Sequence, residues 1–266
     1  MCVSSASLAV FISLIIVPHP LLVLAAPKPQ TAEQAPDTGY KAAPLSIELN
    51  EKAVLAVNAR DFAGAEDLFK RALAADDKNV TAVVNLAAMY LTNKKSTEAV
   101  ALLKEYSEKY PDDASLQARL GDAYFASKKV KEATGAYERA LKLDPRYPNV
   151  AARLGTLYTL SRRLPDAERL FMQAAEEDPK NPQVLSSLSS LLLANGKSDM
   201  AVSMAKRALQ IKPSKELYIT LGSAYEAQKD LKNSIIAFER ARDFGEKSPE
   251  LEAKLETLRK SAGSAS

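Results

Sequence analysis

The chain has very few of the residues on which enzymes depend for nucleophilic, acid–base and metal chemistry. Among its 266 residues there is one cysteine, one histidine and no tryptophan. Both Cys2 and His19 lie within the first 26 residues. Zinc sites of the cysteine–histidine kind and histidine-dependent triads need several such side chains, so residues 27–266 can form neither. We therefore predict a protein that is not an enzyme and that needs no metal and no cofactor.

Glycine-rich loops and a strong charge of one sign are also missing. The nine glycines are scattered along the chain, and none belongs to a phosphate-binding loop. The formal net charge is only +3, which is too small a bias to indicate nucleic acid. We therefore expect no nucleic-acid partner.

Residues 1–26 contain no Lys, Arg, Asp or Glu and carry two apolar runs, residues 8–17 and 21–26, separated by Pro18-His19-Pro20. This composition predicts a secretory signal peptide with a cut after Ala25. An uncleaved membrane anchor is the alternative, because residues 8–26 approach the roughly 20 apolar residues that a spanning helix needs. A third alternative is a misassigned start and a cytosolic protein. We expect an exported protein, periplasmic or extracytoplasmic, with membrane association through residues 8–26 if they are retained.

Residues 27–45 contain four prolines among small and polar residues, so they offer little apolar surface to bury. This composition predicts a Pro-rich disordered tether. Residues 261–266 are small and polar, and we expect a disordered tail there.

Residues 46–248 repeat with a period of 34, in units 46–79, 80–113, 114–147, 148–181, 182–214 and 215–248. Each unit contains two stretches with apolar residues at helical spacing, which predicts a helical hairpin. The eighth place of the first helix is small in all six units: Ala53, Ala87, Gly121, Gly155, Ser189 and Gly222. The twenty-fourth place, in the second helix, is occupied by Phe69, Leu103, Tyr137, Phe171, Ala205 and Phe238. Proline ends the second helix at Pro111, Pro145, Pro179 and Pro213.

This pattern resembles the tetratricopeptide repeat (TPR) family. The departures are Lys52 and Asp77 in the first unit, Tyr106 at a packing place, and one missing residue between the fifth and sixth units. The resemblance implies an all-α fold, a right-handed α-solenoid of six helical hairpins, with a binding architecture and no common chemistry. After Ser248, the stripe of Leu251, Leu255 and Leu258 predicts a capping helix at residues 249–260.

The resemblance also implies a binding groove. At 100° per residue, places 4, 7, 8 and 11 of each first helix share the packed face, and places 2, 5, 6, 9 and 13 lie opposite. In the TPR family that opposite side lines the groove, and we call it the groove face. The candidate peptide-binding residues on it are Asn85, Arg119, Asp122, Arg153 and Thr156.

Two of these candidates, Arg119 and Arg153, occupy the sixth place of neighbouring units. Together they could bind one acidic side chain or a chain-terminal carboxylate of a partner. Alternatively, Arg119 pairs with Asp122 one turn along its own helix and Arg153 is merely solvated.

The turns inside successive hairpins are basic. Because the repeat should align them along one side, we name the following residues the basic edge: Lys94, Lys95, Lys128, Lys129, Arg162 and Arg163. They are either ordinary solvated turns or a docking site for anionic lipid, an acidic polymer or an acidic partner.

The sequence favours a non-catalytic scaffold that binds a peptide or helix of a protein partner in the groove. The alternative is an architectural subunit of an envelope or secretion assembly that associates through its edges. Concentration-dependent oligomerisation would favour the second hypothesis, and the sequence leaves the oligomeric state open.

Deleting the inner unit, residues 114–147, tests the repeat architecture. The stability of a repeat protein is approximately a sum over units and neighbouring interfaces, so we expect a shorter, soluble and still helical protein. Far-UV circular dichroism per residue should agree between the shortened and full chains. Complete loss of the helical signal would instead indicate a single globular core.

Overall fold

A computed structural model describes residues 41–263 of the chain. The predicted export segment, residues 27–40 of the predicted tether and the last three residues lie outside the described part. Residues 41–263 form thirteen α-helices and no strand. In chain order they are α1 (Pro44–Asn58), α2 (Phe62–Ala75), α3 (Val80–Thr92), α4 (Ser96–Lys109), α5 (Ala114–Ala126), α6 (Val130–Leu143), α7 (Val150–Leu160), α8 (Leu164–Glu177), α9 (Pro182–Ala194), α10 (Ser198–Ile211), α11 (Lys215–Ala227), α12 (Leu231–Asp243) and α13 (Pro249–Gly263).

The helices pair as successive hairpins, which confirms the predicted all-α repeat fold. Helix α1 packs on α2, α3 on α4, α5 on α6, α9 on α10, and α11 on α12. The chain divides into two compact units, whose described parts are residues 41–150 and residues 151–263.

The two helices of a hairpin approach each other where the small eighth place meets the ring of the twenty-fourth place. A Cβ atom added to Gly121 would lie 2.5 Å from Cδ1 of Tyr137, so only glycine fits beneath this ring. Such a Cβ would lie 3.2 Å from the Phe171 ring at Gly155 and 2.9 Å from the Phe238 ring at Gly222. The small residues that the sequence pattern singled out therefore set the helix spacing inside each of these hairpins.

Two serines, one at an eighth place and one at a twentieth place, each make a hydrogen bond across their hairpin. The Ser189 hydroxyl donates to the carbonyl oxygen of Ala201 at 3.0 Å, and the Ser234 hydroxyl donates to that of Gly222 at 2.9 Å. Both serines are fully buried, so the bonds satisfy hydroxyls that would otherwise destabilise the core.

The turn inside every hairpin contains one residue in the left-handed conformation, at the fifteenth place of the unit. These residues and their φ angles are Arg60 (62°), Lys94 (59°), Lys128 (60°), Arg162 (57°), Gly196 (75°) and Lys229 (63°). At the second turn, the Lys95 amide donates to the Tyr90 carbonyl oxygen at 2.8 Å and the Lys94 amide to that of Leu91 at 3.1 Å. This bonding pattern pairs the last free carbonyl groups of a helix and so ends it. It also fixes the backbone conformation of the basic turns.

The ends of the described chain differ from the predicted boundaries by a few residues. Helix α1 begins at Pro44, inside the predicted tether, because proline is favourable in a first helical turn. At the other end, α13 packs Leu251, Leu255 and Leu258 on Phe238 and Ala241 of α12. It continues to Gly263, three residues beyond the predicted capping helix.

The substitution Gly121→Ala should destabilise the protein by about 1–3 kcal/mol, because the added methyl group collides with the Tyr137 ring. Gly135→Ala in α6 is the matched control. No heavy atom lies within 4 Å of a Cβ added there, so the better helix propensity of alanine should stabilise by about 0.5–1 kcal/mol. Urea unfolding of the three proteins should show shifts of opposite sign. Two shifts of equal sign and size would contradict the packing described here.

Candidate functional site

The groove face of residues 41–150 contains polar side chains that are almost completely buried. Asn85 of α3 is 2% exposed, and its Nδ2 donates to Oδ1 of Asn50 in α1 at 3.0 Å. This hydrogen bond joins two first helices across neighbouring repeats. Asn85 is therefore held in a fixed orientation by the first helix of the preceding unit.

Arg119 and Asp122 form an ion pair within α5. Nη1 of Arg119 lies 3.2 Å from Oδ2 of Asp122, and the Tyr137 hydroxyl of α6 donates to Oδ1 of the same carboxylate at 2.6 Å. The structure thus contains the Arg119–Asp122 pair that the sequence left as an alternative to an acid-binding arginine. The charge of Arg119 already has a partner inside the protein, which weakens its expected attraction for an acidic ligand.

Two buried polar atoms near this pair have no hydrogen-bond partner among the described residues. They are Nε of Arg119 and Oε1 of Gln117, both in α5. Arg119 is 8% exposed, so water cannot readily satisfy its donor. Leaving a buried donor unpaired costs about 1–3 kcal/mol.

The other two groove candidates, Arg153 and Thr156, lie on α7 in residues 151–263 and are half-buried. The Thr156 hydroxyl donates to the carbonyl oxygen of Ala152 at 3.0 Å, within its own helix. Arg119 and Arg153 belong to different compact units. Their joint binding of an acidic group therefore stays a prediction.

Two residues of the predicted basic edge have acidic partners in the protein. Nζ of Lys95 lies 3.0 Å from Oε2 of Glu66, and Nη2 of Arg163 lies 2.8 Å from Oδ2 of Asp166. Arg163 also stacks on the Tyr158 ring, 3.8 Å from its centroid. The edge therefore carries less free positive charge than the sequence indicates.

The remaining members of the basic edge are exposed, and they are Lys94, Lys128, Lys129 and Arg162. Three of these four, Lys94, Lys128 and Arg162, adopt the left-handed conformation in the turns, and Lys129 directly follows such a residue. Their backbone positions are therefore fixed. Their role in docking stays a prediction.

Sequence reasoning missed a half-buried carboxylate that links successive hairpins. Glu66 of α2 accepts hydrogen bonds from Lys70 at 2.8 Å, Lys95 at 3.0 Å and the Tyr90 hydroxyl at 3.0 Å. The hydrogen bonds from Lys70 and Lys95 lower the pKa of Glu66 to about 2. Burial, followed by the hydrogen bond to Glu66, raises the pKa of Tyr90 to about 12.

The same link recurs in residues 151–263. There Glu168 accepts from Lys197 at 2.5 Å and from Asn195 at 2.7 Å, and the Lys197 hydrogen bond lowers its pKa. In both places the acid is at the twenty-first place of one unit and the lysine at the sixteenth place of the next. This recurrence is a sequence signal that could have found both pairs.

Among residues 41–263, no three or more His, Cys, Asp or Glu side chains are grouped so that they could hold a metal ion. None of the helices in this part of the chain is long and apolar enough to cross a membrane.

The substitution Glu66→Gln tests the carboxylate link through its pH dependence. The folded pKa is depressed, so the stabilisation is present above pH 4.5 and is lost as the pH falls towards 2. At pH 7 we expect a loss of about 1–2 kcal/mol, since the side chain retains 22% exposure and water screens part of the interaction. Between pH 5 and 2, the free energy of unfolding of the variant should fall less steeply than that of the parent.

The control for this measurement is Glu105→Gln, because that carboxylate is exposed. It should leave both the stability and its pH dependence unchanged. An equal effect of the two substitutions would contradict a specific role for Glu66.

Comparison with solved structures finds repeat proteins of the same fold. PilF from Pseudomonas aeruginosa is 15% identical, with a TM-score of 0.68 over 80% of this chain and 97% of that chain. YrrB, described as a TPR protein with an unusual peptide-binding site, is 17% identical, with a TM-score of 0.65 over 71% and 97%. MamA AMB-1 is 25% identical, with a TM-score of 0.58 over 67% and 98%. These similarities show the fold.

Comparison with curated proteins finds no match. The model of the family described as cilia and flagella-associated protein 70 C-terminal domain matches residues 23–258. This match spans most of the chain and covers all six helical hairpins. The chain therefore belongs to this family of TPR proteins.

Proposed function

We propose that this protein is a non-catalytic interaction scaffold, exported or membrane-tethered, that binds a peptide or a helix of a partner protein on its groove face. Its family and its hairpin repeats support a binding architecture. YrrB, a protein of the same fold, is described as having a peptide-binding site. The sequence has few residues of the types used in catalysis, since Cys2 and His19 are its only cysteine and histidine. This composition favours binding over catalysis.

The observation that carries this proposal is Nε of Arg119, a donor without an acceptor in the described part of the chain. It lies beside a fixed ion pair, so the guanidinium does not need to be ordered when a ligand arrives. A main-chain carbonyl or a carboxylate of a bound peptide would supply the missing acceptor. Asn85, already oriented by Asn50, would hold the ligand main chain one repeat earlier.

Arg119→Lys tests this contact more sharply than removal of the side chain. Lysine keeps a positive charge for Asp122 but has no counterpart of Nε, so the ligand should lose a hydrogen bond to a charged donor. We expect binding of a partner-derived peptide to weaken about 10- to 150-fold, equivalent to about 1.5–3 kcal/mol. Arg153→Ala should produce a loss of the same order while leaving thermal stability nearly unchanged.

The peptide for this measurement comes from a partner co-purified with the native protein, and its affinity is measured by fluorescence anisotropy. Arg162→Ala serves as the control, since this exposed turn residue is not on the groove face. It should leave the affinity unchanged. If Arg119→Lys, Arg153→Ala and the parent bind equally well, the groove face does not bind the partner.

A further inference from the structure

Three successive hairpin turns of residues 41–150 each hold a cation in the left-handed conformation. Arg60, Lys94 and Lys128 occupy the fifteenth place of their units, with φ angles of 62°, 59° and 60°. All three side chains are exposed, and none has an ion-pair partner among residues 41–263. We call these three residues the cation row.

The three turns are neighbours because the first helices that lead into them pack on one another. Helix α1 contacts α3, and α3 contacts α5. The ion pair of Lys95 with Glu66, at 3.0 Å, also ties the second turn to the first hairpin. Packed helices lie about 8–10 Å apart. The members of the cation row therefore recur at about this interval along one edge of residues 41–150.

The cation row keeps its charge at a place where glycine would be less strained. A positive φ crowds the Cβ atom against the backbone, and glycine has no Cβ. In the fifth unit this place is Gly196, with a φ of 75°, so the turn accepts glycine. Residues held in this conformation despite a side chain concentrate at binding sites and ligand clamps. The row thus places charge where backbone energetics alone would favour glycine.

Acidic residues flank the cation row and restrict the shape of an anionic partner. In these three turns and the first five residues of the second helices that follow, the cations are Arg60, Lys94, Lys95, Lys128, Lys129 and Lys131, and the acids are Asp61, Glu66, Glu98 and Glu132. The excess is only two positive charges, so a flat anionic membrane, which meets the whole edge, gains little attraction. A narrow acidic chain can contact the row and leave the exposed Glu98 and Glu132 in water.

We propose that the cation row binds an extended acidic segment of a partner protein, in which a carboxylate recurs at every third residue. A polyproline II helix has three residues per turn and rises about 3.1 Å per residue. Residues three apart in such a segment therefore lie on the same face, about 9 Å from each other. This interval matches the spacing of the turns, so each carboxylate meets one cation of the row.

This surface is separate from the groove face, because the row lies on the turns and none of its members is a groove candidate. A partner that carries an acidic segment beside its groove-binding element would be held at two places on residues 41–150. The second contact would then be intramolecular, so the overall affinity would rise without any change in the groove.

A fluorescently labelled synthetic peptide of five Glu-Pro-Pro triplets tests the site on the full chain. Its prolines favour the polyproline II conformation, which places the glutamates on one face. We expect binding by fluorescence anisotropy at low ionic strength. In about 1 M salt the Debye length falls to about 3 Å, so binding should weaken about 5-fold or more. A peptide of the same composition with its five glutamates consecutive should bind about 3-fold or more weakly than the spaced peptide, because fewer of its carboxylates reach the row.

The variant that removes the row combines Arg60→Gly, Lys94→Gly and Lys128→Gly. Glycine relieves the left-handed backbone and is already used at Gly196, so the helical circular dichroism and the urea midpoint should stay nearly unchanged. Its affinity for the spaced peptide should fall about 5- to 50-fold, as expected for the loss of three exposed ion pairs.

The matched control combines Arg71→Gln, Lys104→Gln and Lys142→Gln. It removes the same number of charges from exposed positions in α2, α4 and α6, away from the turns. Its affinity should change by less than about 2-fold. Equal weakening by the two triple variants would overturn the proposal, since the peptide would then respond only to net charge.

The two peptides and a vesicle assay supply the remaining outcomes. Absence of binding, or equal affinity for the spaced and consecutive peptides, would overturn the proposal. Sedimentation with vesicles of phosphatidylcholine and phosphatidylglycerol, in the absence of peptide binding, would overturn it in favour of a membrane surface. All of these assays address the turns, so their failure leaves the groove to be judged with the partner-derived peptide.

Discussion

The close approach of the two helices in a hairpin is the constraint on which the rest of this structure depends. At Gly121 the backbone lies directly beneath the Tyr137 ring, and an added Cβ would be 2.5 Å from it. Gly155 and Gly222 make the same approach to Phe171 and Phe238. Because the spacing and register of each hairpin are set here, equivalent residues of successive units reach equivalent positions. The 34-residue period then determines which side chains meet across repeats.

The links between hairpins follow from this register. Glu66 accepts from Lys95 of the next unit, and Glu168 accepts from Lys197 in the same relation. Both acids have lowered pKa values because they are hydrogen-bonded to lysines. Other units have no acid at this place, since valine, threonine or isoleucine stands there. The repeat thus supplies a framework in which a few charged pairs are added at particular interfaces.

The groove face contains polar side chains in fixed orientations and one hydrogen-bond donor that lacks a partner among the described residues. Asn85 and Asp122 are held by Asn50 and Tyr137 respectively, whereas Nε of Arg119 has no acceptor among residues 41–263. In the function proposed above, such a face binds a ligand that presents carbonyl or carboxylate oxygens.

The sequence alone determined the hairpins, their period and the stripe that places Leu251, Leu255 and Leu258 on α12, because these depend on spacing along one or two helices. Tertiary structure decided which of the charged candidate residues are already paired within the protein. Arg119 pairs with Asp122 while Tyr137, on another helix, holds the carboxylate, and Lys95 is engaged by Glu66, 29 residues away in the chain. The left-handed turn residues could not be predicted from the sequence either, because residue type does not fix φ. Only Gly196 among the six described turn residues is glycine. Contacts between elements, and the backbone conformation that joins them, arise only once the hairpins are packed.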